Sequence, residues 1–220
     1  VTRPGAPLPN LLRRAAGRAF AGAHPDTGDT DAAILDAAVT VLARRGTRAA
    51  TMAEVAAAAG VGRATVFRRF SGKDELFERA LTREITALLD ALAARLATID
   101  DPAEQVAAGF ALCLGLHRHP LLAAEATHRG ELLHALTHGP HAPITLAHAR
   151  VTAHISRAQA KHQLPPGNPS AQADALIHIT LGYLLTPSLT VDLTDPTAVE
   201  YLAHVAIAPI LTGPPNPPPP

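Results

Sequence analysis

The chain has 220 residues, and 46 Ala with 29 Leu make up about a third of them, while aromatics are only 3%. Such a surplus of strong helix formers predicts an all-α protein with an aliphatic core. Nineteen basic residues balance nineteen acidic ones, which taken as a sum argues against both a wholly basic nucleic-acid binder and an acidic disordered tail.

Residues 1–28 hold Pro4, Pro7, Pro9 and Pro25, several Gly, and Arg3, Arg13, Arg14 and Arg18 before any acid. They read as a flexible basic arm with room for a short helix over residues 11–20. Those arginines also interrupt any signal-peptide apolar run. The first strong helix is predicted over 31–45, capped by Thr30, with Ile34, Leu35, Ala38, Val41 and Leu42 on one face and Gly46 at its end. A second starts at Thr51, where Thr51 and Glu54 have capping-box spacing, and stops at Gly60. After Gly60-Val61-Gly62 a short third helix covers 63–70. Ser71 and Asp74 repeat the capping-box spacing ahead of a long helix to about Thr98. Beyond it, prolines mark out helices near 103–118, 121–138, 143–162, 170–185 and 196–211, the last with Asp195 as N-cap and Pro196 at its first position. The end, 213–220, reads as a Pro-rich disordered tail. Nothing looks like paired strands.

The zero net charge hides an asymmetry. Between residues 44 and 73 the basic residues are Arg44, Arg45, Arg48, Arg63, Arg68, Arg69 and Lys73, against Glu54 alone; from Asp74 onward acids outnumber bases. The basic stretch contains TMAEVAAAAGVGRATVFRRF (51–70), a capped helix, a Gly turn and a half-basic second helix. That is the layout of a helix-turn-helix, whose second helix lies in the major groove. Val66 and Phe70, four apart, face the core and leave Arg63, Ala64, Thr65, Phe67, Arg68 and Arg69 on the other sides. Arginine suits such a helix because its planar fork pairs with guanine acceptors and neutralises phosphate.

Residues 31–83 resemble the DNA-binding domain of the TetR-type transcriptional regulators. The match rests on a first helix ending in ARRG, then T-x-x-E-V-A-x-x-A-G-V, R-A-T-V-F-R-R-F and S-x-K-D-E-L-F. The resemblance implies a three-helix DNA-binding head (29–83) and a C-terminal helical domain (84–212) for ligand binding and dimerisation. It places Thr51, Arg69 and Lys73 at phosphates, and Arg63, Ala64, Thr65 and Arg68 at bases or adjacent phosphates. Phe67 stands where the family usually has Tyr, so only apolar contact remains there, and Gly62 stands where Ser or Thr commonly caps the recognition helix. The implied function is a homodimeric repressor that leaves a palindromic double-stranded operator on binding a small molecule, with the dimer formed by the helices near 143–162 and 170–185. Faces such as Ile144, Ala147, Val151 and Ile155, and Leu176, Ile179 and Tyr183, suit close packing across such an interface or within one chain.

The second half says less. Eleven of the twelve histidines lie between His117 and His204, and His134, His138 and His141 are four and three apart. Gly139 and Pro140 break the helix between the last two, so no metal site is assigned. Cys113, the single cysteine, excludes a disulfide framework and reads as a small buried hydrophobe in a reducing compartment. A ligand cavity, if lined by Phe110, Leu114, Leu133 and Leu136, would have His117 or His134 as polar anchors. No nucleophile, base and orienter share a recognisable spacing, no cofactor is implied, and the longest uncharged apolar run, 175–191, contains His178 and Pro187, too broken for a membrane span. The chain reads as a cytoplasmic non-enzyme. Two further readings stay open: a head whose C-terminal domain answers to a protein or metal ion, and an α-helical histidine-dependent metal-binding protein.

Overall fold

The computed structural model describes residues 6–23, 28–121, 126–138 and 142–213. It contains α1 (Leu8–Phe20), α2 (Asp29–Ala49), α3 (Met52–Ala58), α4 (Arg63–Arg69), α5 (Lys73–Leu96), α6 (Pro102–Gly115), α7 (Ala126–Thr137), α8 (Pro143–Ala160), α9 (Pro169–Leu185), α10 (Pro196–Leu202) and α11 (Pro209–Thr212). Among the described residues there is no strand. They form two compact units, one built from the chain up to Leu89 with Arg118–Leu146, the other from Asp90–His117 with the chain from Ala147 onward. The expected division at residue 84 therefore falls inside the first unit, because Leu121, Ala135 and Leu136 pack with the core of the head.

In the first unit, Ile34, Leu35, Ala38, Val41 and Leu42 of α2 are buried as their spacing predicts, together with Val55 of α3, Val66 of α4, Phe70, and Leu76, Phe77 and Leu81 of α5. The segment read as a basic arm with room for a helix over 11–20 carries one over Leu8–Phe20, starting three residues earlier. Leu8, Leu11, Leu12, Ala15, Ala16 and Ala19 recur at helical spacing and are all buried, which orders the segment despite its flanking prolines. Helix α1 packs on α7 and is pinned to α5 by polar groups as well: Arg14 Nε and Arg18 Nη2 meet the buried Glu78 carboxylate at 2.5 and 3.0 Å, and the Ala6 N–H donates to Asp74 Oδ1 at 2.8 Å. That last bond corrects the capping box expected at Ser71 and Asp74. The Ser71 N–H and hydroxyl both donate to Glu75 Oε2 instead.

The second unit is built on Phe110 and Leu114 of α6, Ile155 of α8, Leu176 of α9, Val199 and Leu202 of α10, and Ile207 and Leu211. Its helices start where short polar side chains precede proline. Asp101, Asn168 and Asp195 each accept N–H bonds from the first turn, with Pro102, Pro169 and Pro196 following. Helix α8 ends at His162, whose φ of +57° puts it in the left-handed region, while the Gln163 N–H donates to the Ala158 carbonyl, a Schellman close. The helix expected as one piece over 196–211 is interrupted by a π-helical stretch, Ala203–Ile207, just ahead of Pro209, which cannot donate to the preceding turn. The tail beyond Gly213 lies outside the described residues.

Candidate nucleic-acid interface

Helices α2 to α4 position the basic residues. Gly46 has φ +67° and ψ 173°, a region open in practice only to glycine, and it turns the chain at the end of α2's straight run. Thr51 then starts α3 through a complete capping box: its hydroxyl accepts the Glu54 N–H at 3.2 Å, and the Glu54 carboxylate accepts the Thr51 N–H at 3.0 Å. Arg45 Nε donates to the other Glu54 oxygen at 3.0 Å. The hydrogen bond from the Thr51 side chain, then that from its backbone, holds the Glu54 carboxyl below the usual carboxylate range. Helix α3 closes on Gly60, φ +66°, with the Val61 N–H donating to the Ala56 carbonyl at 3.0 Å. This left-handed step makes the turn of the helix-turn-helix, and Val61 packs onto the core behind it.

Gly62 caps α4 without a side-chain bond, as the missing Ser or Thr predicts. Val66 and Phe70 anchor the helix, both fully buried. Arg63, Ala64, Phe67, Arg68 and Arg69 are exposed and Thr65 is half-buried. Phe67 is 53% exposed, and Arg63 and Arg68 on the same helix make no ion pair among the described residues.

The eight expected contact residues are thus on one basic module, but three already have partners. Arg69 Nη1 meets Asp31 Oδ1 at 2.5 Å. Arg79 also approaches Asp31, at 3.6 Å, and lies over the Phe70 ring at 4.8 Å. Lys73 Nζ donates to the carbonyls of Arg48 and Ala50 at 3.2 and 3.0 Å, which fixes the start of α5 against the end of α2. The Thr51 hydroxyl also donates to Glu54 Oε2 at 2.9 Å. Residue pattern exposed the cations but not their acids. Asp31 is 38 positions from Arg69, and only the folded chain brings them together.

Residues 34–80 match the family model for bacterial regulatory proteins of the tetR family. The head belongs to the tetR family. No curated protein matches the chain by sequence. Three solved structures share the fold over most of their length. A transcriptional regulator from Streptomyces coelicolor is 22% identical, with a TM-score of 0.59 over 84% of this chain and 100% of that one. FadR of Bacillus subtilis, in complex with stearoyl-CoA, is 14% identical, with a TM-score of 0.56 over 78% and 96%. AibR, in complex with isovaleryl coenzyme A and operator DNA, is 18% identical, with a TM-score of 0.51 over 80% and 96%. These likenesses show an all-helical fold shared over most of the chain.

The four residues named as a cavity lining are divided between the two units. Phe110 and Leu114 are buried in the core of the second unit, whereas Leu136 packs in the first unit and Leu133 is exposed. The side chain of His117 lies outside the described residues. His134 and His138 stack at 4.5 Å, His141 lies outside the described residues, and among the described residues no group of three His, Cys, Asp or Glu is placed to hold a metal ion. Of the faces expected to meet a partner, Ile155 and Leu176 are buried in the unit's own core, and Val151, Ile179 and Tyr183 pack against it while staying partly exposed. Cys113 is densely surrounded and its thiol is pushed up to about 11 by burial, which keeps it protonated and unreactive at neutral pH. No helix among the described residues is long and apolar enough to cross a membrane.

Proposed function

We propose that the protein is a homodimeric, sequence-specific repressor that binds a palindromic operator through α4 and is released from it by a small-molecule effector. The fork of Arg63 at the first position of α4, exposed and without an ion pair among the described residues, carries the reading, because base edges are met by the N-terminal residues of a recognition helix. Ala64, Thr65, Phe67 and Arg68 line the same helix for base or adjacent phosphate contact. Thr51, Arg69 and Lys73 flank it as phosphate contacts. Lys73 has a third ammonium proton beyond the two held by carbonyls.

A dimer is supported by α9. This helix is apolar nearly all round, yet only Ala173 and Leu176 are buried, and Ile177, Leu181, Leu184 and Leu185 stay half-exposed. A helix apolar on every side is ordinarily buried, and a second copy of α8 and α9 would bury it. The effector is supported by the AibR and FadR structures, solved with coenzyme A thioesters.

Footprinting on the DNA flanking its own gene tests the reading. Arg63→Ala should relax base preference, with a loss of about 1–3 kcal/mol confined to the cognate site. Lys73→Ala should weaken binding to all sequences and lower the salt slope by about one. Equal effects of both variants on cognate and random DNA would refute this division of roles.

A further inference from the structure

In the core of the second unit Phe110, Leu114, Ile155, Leu176 and Ile207 are each at most 5% exposed. A half-open cleft of about 300 Å³ lies where the end of α5, the start of α6 and the end of α8 meet. Gln105 shapes it, its Nε2 donating to the Leu96 and Ile99 carbonyls at 3.2 and 2.6 Å. One wall is a single face of α8 and its C-terminus, since His154, Arg157 and Lys161 follow at three and four residues. Both cations are exposed, and among the described residues neither has a carboxylate within ion-pair distance. The His154 Nε2 is shut off from water and has no hydrogen-bond partner among the described residues. Buried polar atoms are nearly always paired. Leu96 and Ile99 line the same cleft, as does the exposed Asp100.

We propose that this cleft is the effector site and that it takes a small organic monocarboxylate. The inference deepens the effector reading above and rests on it. The carboxylate meets Arg157 and Lys161, whose charge-assisted bonds are the strong ones available. A short branched or straight carbon chain lies on Leu96 and Ile99. The volume sits at the small end of ligand pockets, and Asp100 opposes a polyanion, so a free acid fits better than inorganic phosphate.

Calorimetry on the full chain with isovalerate, inorganic phosphate and isovaleryl-coenzyme A tests this, with Arg157→Gln/Lys161→Gln as the variant, since both side chains are exposed and their loss leaves the core intact. The expected result is that isovalerate binds more tightly than phosphate, loses at least about tenfold in affinity in the double variant, and weakens operator binding by the wild type but not by the variant. The variant should melt with the wild type and bind the operator equally well without ligand. The proposal is overturned if none of the three probes binds, if phosphate or the coenzyme A ester binds more tightly, if the double variant binds isovalerate as the wild type does, or if isovalerate binds without altering operator affinity. Failure of the wild type to bind any operator would overturn the regulator reading itself, while the binding arm, read on protein alone, still decides whether the cleft takes a carboxylate.

Discussion

At the scale of single residues, internal acids hold some of the head's cations and leave others open, and under the proposed function DNA competes with those acids for them. Asp31 holds Arg69 and lies near Arg79, and Glu54 holds Arg45, whereas no such acid meets Arg63 or Arg68 among the described residues. Exposed pairs of this kind contribute little to stability, but each keeps a guanidinium from a phosphate. Asp31→Asn should therefore raise affinity for random DNA a few-fold at low salt and steepen the salt dependence by up to one unit, because Arg69 becomes available. Fluorescence anisotropy across a salt series reads both quantities, and an unchanged slope would show that Arg69 makes no phosphate contact. Glu54 also shows what sequence spacing can and cannot give. Its capping role was legible from Thr51-x-x-Glu54, but the pairing with Arg45 across the turn at Gly46 was not.

At the scale of elements, α2 to α4 were legible because local rules agree there: a capping box, a left-handed glycine, and apolar residues at helical spacing all point to one fold. Helix α1 was legible only in part, as a short helix over 11–20, because Pro4, Pro7, Pro9 and two glycines before Phe20 set against it a composition typical of disorder. The spacing of Leu8, Leu11, Leu12 and Ala15 carried the opposite signal, and burial decided the outcome. Which core a side chain enters was not legible either. Phe110 and Leu136 are both apolar and both on helices, and pattern alone does not tell which of two cores a side chain enters. Leu11 is fully buried between the head and α7, so Leu11→Ala should cost about 2–5 kcal/mol. Urea denaturation would show it as a lower midpoint. A cost under about 0.5 kcal/mol would mean that α1 is the flexible arm its composition suggests.

At the scale of the whole molecule, carboxylates that accept hydrogen bonds in the fold make stability depend on pH. The Ser71 side-chain and backbone hydrogen bonds hold Glu75 below the usual carboxylate range, and a hydrogen bond from His119 does the same for Glu84. With Glu54, these groups bind fewer protons folded than unfolded, so their stabilisation is complete above about pH 4.5 and is lost as pH falls through the lowered values. His154 is held below the ordinary imidazole value, first by burial and then by Arg157. Below about pH 6.5 the unfolded chain takes up a proton that the folded chain resists, so stability declines there too. Urea midpoints should be level above pH 7, fall gently from 6.5 and steeply below 4.5. A rise on acidification would contradict the assignment.

The larger pattern is one of charge concentrated on one module. A chain with no net charge concentrates its cations between Arg44 and Lys73, and the fold presents Arg63 and Arg68 on the open side of α4. Binding selection from a pool of random duplexes tests that claim most directly. The account predicts enrichment of an inverted repeat whose half-sites are centred about 10 base pairs apart, or a multiple of that, and loss of the enrichment for Arg63→Ala. Recovery of unenriched sequences by the wild-type protein at moderate salt would contradict it.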